Sequence, residues 1–424
     1  MIKRVAVLSV MFAISLNLAS QEMKSLQETF LESEYFFMYS DYSDALPGYL
    51  SILEKMPDNA NVAYRIGVCY LNISGQKNHA PEYLEKAVMK VSSRHKDGTI
   101  SQLTAPYDAI YQLGVAYRIN YQLDKAKEAF RKYRETLLPD DNENLNFVDH
   151  EISSCDNAKK LMENPVDFTV ENMGPLFNDE KDNFNPVISG DGKSFVFMTS
   201  MKFYDAVMYT RLADGKWTAP ENIIPDLQVD GSIFVSCLSF DGKTLLLSQG
   251  DNYNSDILVS TFNGSKWSKA VRLNKNINTK YWESHGFLSE DGNTLVFASD
   301  RPGGFGGLDI YISKKENGDW GPAVNIGPEI NTALNEDRPF LINNSKILFF
   351  ASQDHESMGG YDIFRSDRQP NGLWGKPKNL GYPINTTDDN ILLMPVANGK
   401  SGYISIYREG EGFGRQDIYK ITVK

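Results

Sequence analysis

Hydrophobic and polar positions in the C-terminal two-thirds of the chain repeat with a period of about fifty residues. Each unit has a polar turn, a short apolar run and an aspartate that opens a further strand, and a tryptophan strand ends each of the first four units. The turns read Asp191-Gly192-Lys193, Asp241-Gly242-Lys243, Asp291-Gly292-Asn293, Asn344-Ser345-Lys346 and Asn398-Gly399-Lys400. The aspartates are Asp205, Asp256, Asp309, Asp362 and Asp417, and the tryptophans are Trp217, Trp267, Trp320 and Trp374. Units of four short strands at this period predict a β-propeller of five blades.

The same repeat predicts how the ring closes. One four-stranded sheet cannot bury both of its faces alone, so the units pack face to face around an axis. The fifth unit ends after Asp417 without the strand that completes the others, and segment 170–174 before the first unit aligns with segments 324–327 and 377–381. We therefore expect residues near 167–173 to complete the last blade, which removes exposed strand edges.

Helical periodicity extends from residue 24 to about residue 163, and segments 60–72 and 109–120 within it align. Gly67 of the first segment corresponds to Gly114 of the second. This spacing resembles the tetratricopeptide pattern, in which small residues let two antiparallel helices approach closely. We expect three helix pairs and a closing helix at about 144–163. The predicted domains are a tetratricopeptide-like unit over residues 21–163 and a propeller over residues 164–424.

The first twenty residues are typical of a secretory signal peptide, because Lys3 and Arg4 precede an apolar stretch that ends in small residues. The stretch is shorter than the ~20 residues that span a bilayer. Cleavage after Ser20 would leave Gln21 first, with no cysteine to carry a lipid. The sequence therefore predicts an exported protein in the periplasm, without direct membrane insertion.

The chain is acidic, with a formal net charge of −12 at pH 7. An acidic surface disfavours nucleic acid and anionic lipid, since both are bound by clustered Lys and Arg. The three cysteines are too few and too scattered for a disulfide framework, so buried free thiols are expected, with a Cys69–Cys155 bridge as the alternative.

No catalytic residue, metal ligand or cofactor is predicted. The sequence has no G-x-S-x-G nucleophile elbow and no histidine pair at zinc-site spacing. His285 and His355 fall at different positions of the repeat, so we do not expect them to converge. Glycine-rich loops precede strands rather than helices, which argues against a phosphate cradle.

Two sets of residues are candidates for binding a partner. Glycine-rich loops at 299–307, 356–360 and 409–414 occupy the same place in three blades, as structural loops or as a binding rim. An aromatic cluster near the first helix pair is either end-cap core or an anchor for a partner. The candidate residues are Tyr35, Phe36, Phe37, Tyr39, Tyr42, Arg301, Phe305 and Phe413. Asp309, Asp362 and Asp417 are expected to cap loop amides, and the Asp-Gly turns to form two-residue hairpins.

Segments 295–301 (LVFASDR) and 307–311 (GLDIY) resemble the PD40, or WD40-like, repeat of TolB-type periplasmic propellers. The order of signal peptide, tetratricopeptide repeats and PD40 propeller is similar to PorE-type envelope proteins of Bacteroidetes, which are associated with type IX secretion and gliding motility. The resemblance implies a non-catalytic periplasmic adaptor that joins outer-membrane components of such an assembly. PorE-type proteins continue into an OmpA-like domain that holds peptidoglycan, whereas this sequence stops at Lys424, so peptidoglycan binding is not expected.

Two other functions fit the same pattern. The propeller face can bind a glycan or small ligand, or carry an enzyme active site, with exposed aromatic rings as stacking platforms. A regulator whose ligand changes the angle between the domains is a further alternative. An enzyme needs acid and base groups that converge in one pocket, whereas an adaptor should expose an apolar or aromatic patch.

Overall fold

The computed structural model describes residues 23–251, 253–396 and 399–424. It contains a set of helices followed by five antiparallel sheets. The predicted signal peptide and Asn398 of the fifth turn lie outside the described residues. The chain divides into two compact units between Ile152 and Ser153, within its longest described helix. None of the helices in the described part combines the length and apolar character that a membrane crossing requires.

The first unit is built from helices that pair in sequence order. A Cβ atom at Gly67 would lie 2.4 Å from Cγ of Leu84, and one at Gly114 would lie 2.5 Å from Cε1 of Phe130. The two glycines therefore allow the close helix contacts that the sequence predicts, while the assignment to the tetratricopeptide family stays a prediction. The helices are α1 (residues 23–38), α2 (Tyr42–Lys55), α3 (Ala60–Asn72), α4 (Ala80–Ala87), α5 (Asp108–Ile119), α6 (Leu123–Arg134) and α7 (Asn142–Met162).

The second unit is a ring of five blades, as predicted, of which three have four strands and two have five. The first strand of each blade faces the axis, where these strands contact one another. Blade 1 has β2 (Asn183–Ile188), β3 (Ser194–Ser200), β4 (Asp205–Ala213), β5 (Lys216–Trp217) and β6 (Glu221–Asn222), and a short α8 (Ile224–Leu227) follows. Blade 2 has β7 (Ser232–Leu238), β8 (Thr244–Gly250), β9 (Ser255–Thr261) and β10 (Val271–Arg272). Blade 3 has β11 (Glu283–Leu288), β12 (Thr294–Ser299), β13 (Asp309–Glu316), β14 (Asp319–Trp320) and β15 (Val324–Asn325). Blade 4 has β16 (Glu336–Ile342), β17 (Ile347–Ser352), β18 (Asp362–Asp367) and β19 (Lys378–Asn379). Blade 5 has β20 (Met394–Pro395), β21 (Ser401–Ile406), β22 (Asp417–Val423) and β1 (Phe168–Asn172).

The predicted closure of the ring is confirmed. Strand β1 pairs antiparallel with β22, with Asn172 opposite Tyr419. In blade 3 the outer strand β15 has the same register, with Asn325 opposite Tyr311. The segment before the first unit is therefore the outer strand of the last blade.

Two expectations about the repeat are wrong in detail. The tryptophan strand does not end a blade, because the outermost strand follows it, as β15 follows β14. The Asp-Gly turns are not two-residue hairpins, because the Ser189 amide donates to the Ser194 carbonyl and leaves four residues between them. Asp191 accepts the Lys193 amide at 3.0 Å, and Gly192 has the left-handed φ of +71°. A four-residue loop uses the same Asp and Gly preferences as a shorter one, so the sequence did not separate them.

The described cysteines are buried and are not joined in disulfides, as predicted. Burial raises the pKa of the Cys69 and Cys237 thiols to about 12, so both stay protonated. They act as small core side chains.

Candidate functional site

The blade topology places two kinds of loop on one face of the ring. Because neighbouring strands of a blade are antiparallel, the loop between the second and third strands lies on the face where the first strand begins. The connectors between blades lie on the same face. We call this the rim face. The glycine-rich loops of blades 3, 4 and 5 lie on it, as their shared place in the repeat predicts.

Aromatic side chains project from the rim-face loops of four blades. Their exposed fractions are 86% for Phe203, 90% for Tyr253, 49% for Phe305 and 49% for Phe413. We call these four residues the aromatic rim. In blade 4 the corresponding loop carries Met358, which is buried. Phe305 and Phe413 were candidates from the sequence, whereas Phe203 and Tyr253 were missed because their loops lack the glycine signature.

Aspartates fix the loops that carry the aromatic rim. Asp309 Oδ2 accepts the Phe305 amide at 2.6 Å and Asn325 Nδ2 at 2.9 Å. Asp417 Oδ2 accepts the Phe413 amide at 2.7 Å in the same way. Burial raises the pKa of Asp309, and its hydrogen bonds oppose that rise. The expected capping role of these aspartates is confirmed.

The loop glycines permit close packing against the next blade. A Cβ atom at Gly306 would lie 2.4 Å from the carbonyl oxygen of Leu334, and one at Gly414 would lie 2.0 Å from that of Lys181. A side chain at either position would therefore push neighbouring blades apart. Gly303 has the positive φ that the sequence suggested, at +95°. The glycines are thus structural, and they hold the aromatic rim on a rigid base.

Arg301, a predicted partner contact, has an internal role instead. Its Nη2 donates to the Ile277 carbonyl at 2.5 Å and to Glu283 Oε1 at 3.2 Å. Its guanidinium lies 5.0 Å from the ring centroids of both Phe297 and Tyr311. The side chain supports the loop from beneath and is not presented to a partner.

The N-terminal aromatic cluster divides into two parts. Phe36, Phe37 and Tyr42 are partly buried and pack against the core of the helical unit, which fits the end-cap interpretation. Tyr35 and Tyr39 are 57% and 65% exposed, and their ring centroids lie 4.9 Å apart. The exposed pair is the part of this cluster that a partner can reach.

A polar cluster on the axis was not predicted. The first strands of blades 1, 3 and 4 bulge at Asn185, His285 and Arg338, each with a φ of +49°. A non-glycine residue in this region costs about 1–3 kcal/mol, so the surrounding structure enforces it. Blade 2 has a shorter bulge at Ser236.

A small cavity of about 10 Å³ lies beside these bulges on the axis. Its polar lining is Ser236, His285 and Arg338, and apolar residues such as Val187 and Phe340 complete the wall. The cavity therefore has the size of a single buried water and combines a few polar groups with a mainly apolar wall.

Asp337 orients the imidazole of the axial cluster. His285 Nδ1 lies 2.9 Å from Asp337 Oδ1, and a carboxylate accepts, so the ring proton belongs on Nδ1. Burial lowers the pKa of His285, and the Arg338 charge adds to this effect. Burial works to raise the pKa of Asp337, but His285 and Arg338 outweigh it and hold that pKa below its ordinary value. Burial lowers the pKa of Arg338.

A weak sequence signal marks this cluster. In each of three first strands a polar residue is followed by Pro or Gly and then by two apolar residues, at Asn185-Pro186, His285-Gly286 and Arg338-Pro339. His355 lies elsewhere, with Nε2 3.0 Å from the Ile330 carbonyl, so the two propeller histidines do not converge. Within the described ranges, no group of three His, Cys, Asp or Glu residues is arranged to hold a metal.

The face opposite the rim has an apolar cleft. Its volume is about 260 Å³, and it lies where the first strands end. Leu238, Phe240, Phe287, Leu341 and Met394 are among the residues that line it.

No protein-family model matches the chain, and no curated protein is significantly similar to it in sequence. Solved structures give distant matches. TolB from Acinetobacter baumannii is 16% identical over 57% of this chain and 55% of its own, with a TM-score of 0.38. A thermostable family-43 glycoside hydrolase is 12% identical over 58% of this chain and 91% of its own, with a TM-score of 0.39. An α-L-arabinofuranosidase from Lactobacillus brevis is 12% identical over 62% of this chain and 93% of its own, with a TM-score of 0.38. This chain thus spans about half of the TolB chain, and at these scores no function is transferred from any of the three.

Proposed function

We propose that this protein is a non-catalytic interaction protein that binds a protein partner through the rim face of its propeller. The observation that carries the proposal is the aromatic rim formed by Phe203, Tyr253, Phe305 and Phe413. Single exposed apolar residues are ordinary, but large ones gathered on one face mark interaction sites.

The energetics favour a binding role for the rim. Burying a large apolar side chain gains about 1.5–3 kcal/mol, and aromatic residues dominate the energy of many interfaces. The hydrogen bonds of Asp309 and Asp417 hold two of the loops in place before a partner arrives. Less ordering entropy is then lost on binding.

We further propose that the protein is exported to the periplasm and joins outer-membrane components of a type IX secretion or gliding-motility assembly. The PD40-like repeat and the order of the predicted segments support this assignment. An adaptor needs a second surface, and the exposed pair Tyr35 and Tyr39 on the helical unit is the candidate for it.

The first test is recovery of partners from the native cell envelope. The chain is tagged at its C-terminus, the envelope is solubilised in mild detergent, and co-purifying proteins are identified by mass spectrometry. Stoichiometric outer-membrane secretion or motility components are the expected result. Recovery of the tagged chain alone would contradict the adaptor function.

A matched pair of variants then tests the surface. The rim variant combines Phe203→Ser, Tyr253→Ser, Phe305→Ser and Phe413→Ser. The control combines Val271→Ser, Val324→Ser and Leu373→Ser, which are also exposed but lie away from the rim loops. We expect the rim variant to weaken partner binding at least about tenfold, because each 1.4 kcal/mol is tenfold, and the control to leave it unchanged. Equal binding by both variants would place the interface elsewhere.

A second candidate is a glycan- or small-ligand-binding protein or a propeller enzyme that uses the propeller face, although the axial cavity has room for only about one water. Glycoside hydrolysis uses two carboxyl groups on either side of the bond. The described lining of the cavity holds His285 and Arg338 but no carboxylate. Turnover of arabino- or xylo-oligosaccharides that Arg338→Met abolishes would overturn the non-catalytic proposal.

A further inference from the structure

We propose that the face opposite the rim binds a small organic cation, a primary amine whose apolar body fills the cleft on the axis and whose ammonium group lies beside Glu290. This site is independent of the proposed partner surface, because it lies on the other face of the ring and uses none of the residues of the aromatic rim.

The first support is the size and composition of the cleft on the axis. All five blades contribute to it, from Ile188 of blade 1 to Val396 of blade 5, and its volume is about 260 Å³. Because one water takes up about 30 Å³ of the liquid, the cleft has room for about nine waters or for one aromatic ring system. Leu238, Phe287 and Leu341 are among its walls, so an apolar group that enters the cleft leaves water for an apolar surface.

A second cavity adjoins the cleft at the seam between blades 2 and 3. Its volume is about 530 Å³, and it shares Phe240, Leu288 and Glu290 with the cleft. Together the two spaces fall in the range of small-molecule sites, which is roughly 300–1,000 Å³. A ligand with an apolar body and a polar end can therefore place one part in each.

Phe240 forms the boundary between the two spaces. A Cβ atom at Gly190 would lie 2.1 Å from Cδ2 of Phe240, so the glycine allows the ring to pack against the neighbouring blade. The ring is still 46% exposed. It is thus held in place and can contact both an apolar group and a cation of the ligand.

The charges of the lining favour a cation. Lys315 is the only basic residue in the described lining of the two cavities, and its Nζ lies 5.1 Å from the ring centroid of Trp320. The carboxylates of the lining are Asp191, Asp241, Glu290 and Asp291. Hydrogen bonds from the Ser239 and Ser289 hydroxyls hold the pKa values of Asp241 and Asp291 below their ordinary value, so both are ionised at neutral pH.

Glu290 is the carboxylate best placed for a ligand. Lys193 and Lys243 follow Asp191 and Asp241 in their own turns, although neither lysine lines a cavity, whereas the turn that contains Glu290 has no lysine. Glu290 Oε1 accepts the Asn344 amide at 3.1 Å, which fixes the carboxylate where the two cavities meet. An ammonium group at this point is attracted, and an anion is repelled.

The first test compares three probes that share an indole ring and a two-carbon chain. Tryptamine ends in a cation, tryptophol in a neutral hydroxyl and indole-3-propionate in an anion. Their binding to the full chain is measured by isothermal titration calorimetry at pH 7. We expect tryptamine to bind at least about threefold tighter than tryptophol and at least about tenfold tighter than indole-3-propionate, because of the carboxylates. No binding of tryptamine, or equal affinity for all three probes, would overturn the proposal.

Crystals of the full chain soaked in tryptamine test the position. The indole ring in the cleft on the axis, with the ammonium nitrogen within hydrogen-bond distance of Glu290, is the expected result. Density for the ring at another place would overturn the site. Density in the cleft without binding in solution would mean binding at crystal concentration only, and it would overturn the proposal as well.

A matched pair of variants tests the charge. Glu290→Gln removes the charge and keeps an oxygen that can accept the Asn344 amide, so the fold should be retained. It should lower the affinity for tryptamine to about that for tryptophol and leave the affinity for tryptophol unchanged. Glu221→Gln, on the outer strand of blade 1, is the control and should bind tryptamine as the wild type does. Equal affinity for tryptamine in the two variants would overturn the role of Glu290.

Phe240→Ser tests the apolar contact. It should weaken tryptamine and tryptophol by a similar factor, at least about threefold, because both lose contact with the ring. Unchanged affinity for both probes would overturn the site. The rim variant should bind tryptamine as the wild type does, and Glu290→Gln should recover the same partners as the wild type, so failure of this proposal is distinguishable from failure of the rim proposal.

Discussion

Equivalent glutamates in two blades show how one neighbour changes the chemistry of a residue. Glu336 at the start of β16 is fully buried, and it accepts hydrogen bonds from the Thr332 amide at 2.6 Å and from Ser352 Oγ at 2.7 Å. Glu283 in blade 3 makes the corresponding bonds and also has Arg301 Nη2 at 3.2 Å. Glu336 has no such cation in its described surroundings, and burial raises its pKa from 4.5 to about 7.

This difference predicts a pH dependence of stability. A carboxyl whose pKa is raised on folding favours the protonated folded state, so its contribution is full below pH 4.5 and is lost as pH rises through about 7. One pKa unit corresponds to ~1.4 kcal/mol, so the wild-type free energy of unfolding should fall by up to ~3 kcal/mol from this group. Urea unfolding at intervals between pH 5 and 8 should show the fall in wild type and a flatter profile in Glu336→Gln.

The control for this prediction is Glu221→Gln. Glu221 is exposed on the outer strand of blade 1, so its removal should leave the pH profile of the wild type intact. If Glu336→Gln keeps the same slope as Glu221→Gln, the pH dependence arises from other groups and the assignment is wrong.

Residue roles were predictable where they follow from local chain geometry. Asp309 caps an amide four residues before it, and such a bond depends on short-range preferences that the sequence displays. Arg301 was misjudged because its partners Ile277 and Glu283 come from distant positions. Arg338 was missed because a bulge, which no local residue pattern specifies strongly, turns it to the axis.

A recurring asparagine ties the outer strand to its blade. In β1, Asn172 Nδ2 donates to Asp417 Oδ2 at 2.9 Å, and Asn172 Oδ1 accepts from the Gly174 amide and from Asn178 Nδ2. Asn325 makes the equivalent three bonds in blade 3. In blade 5 the bonds join the beginning of the propeller to its end, whereas in blade 3 they join neighbouring parts of the chain.

The Asn172→Ala variant is therefore expected to loosen the ring closure. Three hydrogen bonds at ~1 kcal/mol each give a loss of up to ~3 kcal/mol in the free energy of unfolding. Hydrogen exchange should speed up selectively in β1 and β22. Asn325→Ala is the matched control, since it should cost a similar free energy without faster exchange at β1 and β22. Identical exchange patterns for the two variants would show that Asn172 has no special part in closure.

Element boundaries were predictable where the repeat constrains them. The alignment of segment 170–174 with 324–327 located β1, because both segments keep the same asparagine spacing. The tryptophan strand was misplaced because two-residue strands such as β5 and β14 leave little periodic pattern. The outer strand β19 is equally short and was located only through the alignment of segment 377–381 with the other copies, whereas β10 was not predicted.

The repeat made the ring predictable at the scale of the whole molecule, but not the cavity at its centre. Similar units that cannot bury their faces alone pack against one another, and this holds whichever side chains the individual strands carry. The axial cluster instead depends on which side chain each first strand contributes, and Asn185, Ser236, His285 and Arg338 differ from blade to blade. A repeat pattern predicts only the features that its copies share, so it does not predict these four residues.

The two units have separate hydrophobic cores, which predicts that they lose stability independently. Ile66 is fully buried in the helical core and Leu295 in the propeller core, and truncating either to alanine should cost about 2–5 kcal/mol. The sequence supplies two separate probes, because all five tryptophans lie in the propeller, while the long helices lie in the first unit apart from α7, which spans the boundary. Thermal unfolding of Ile66→Ala should shift the helical circular-dichroism transition and leave the tryptophan fluorescence transition in place, and Leu295→Ala should do the reverse. Each variant is the control for the other. A shift of both transitions in both variants would show instead that the chain unfolds as one cooperative system, because cores that unfold together share every loss of stability.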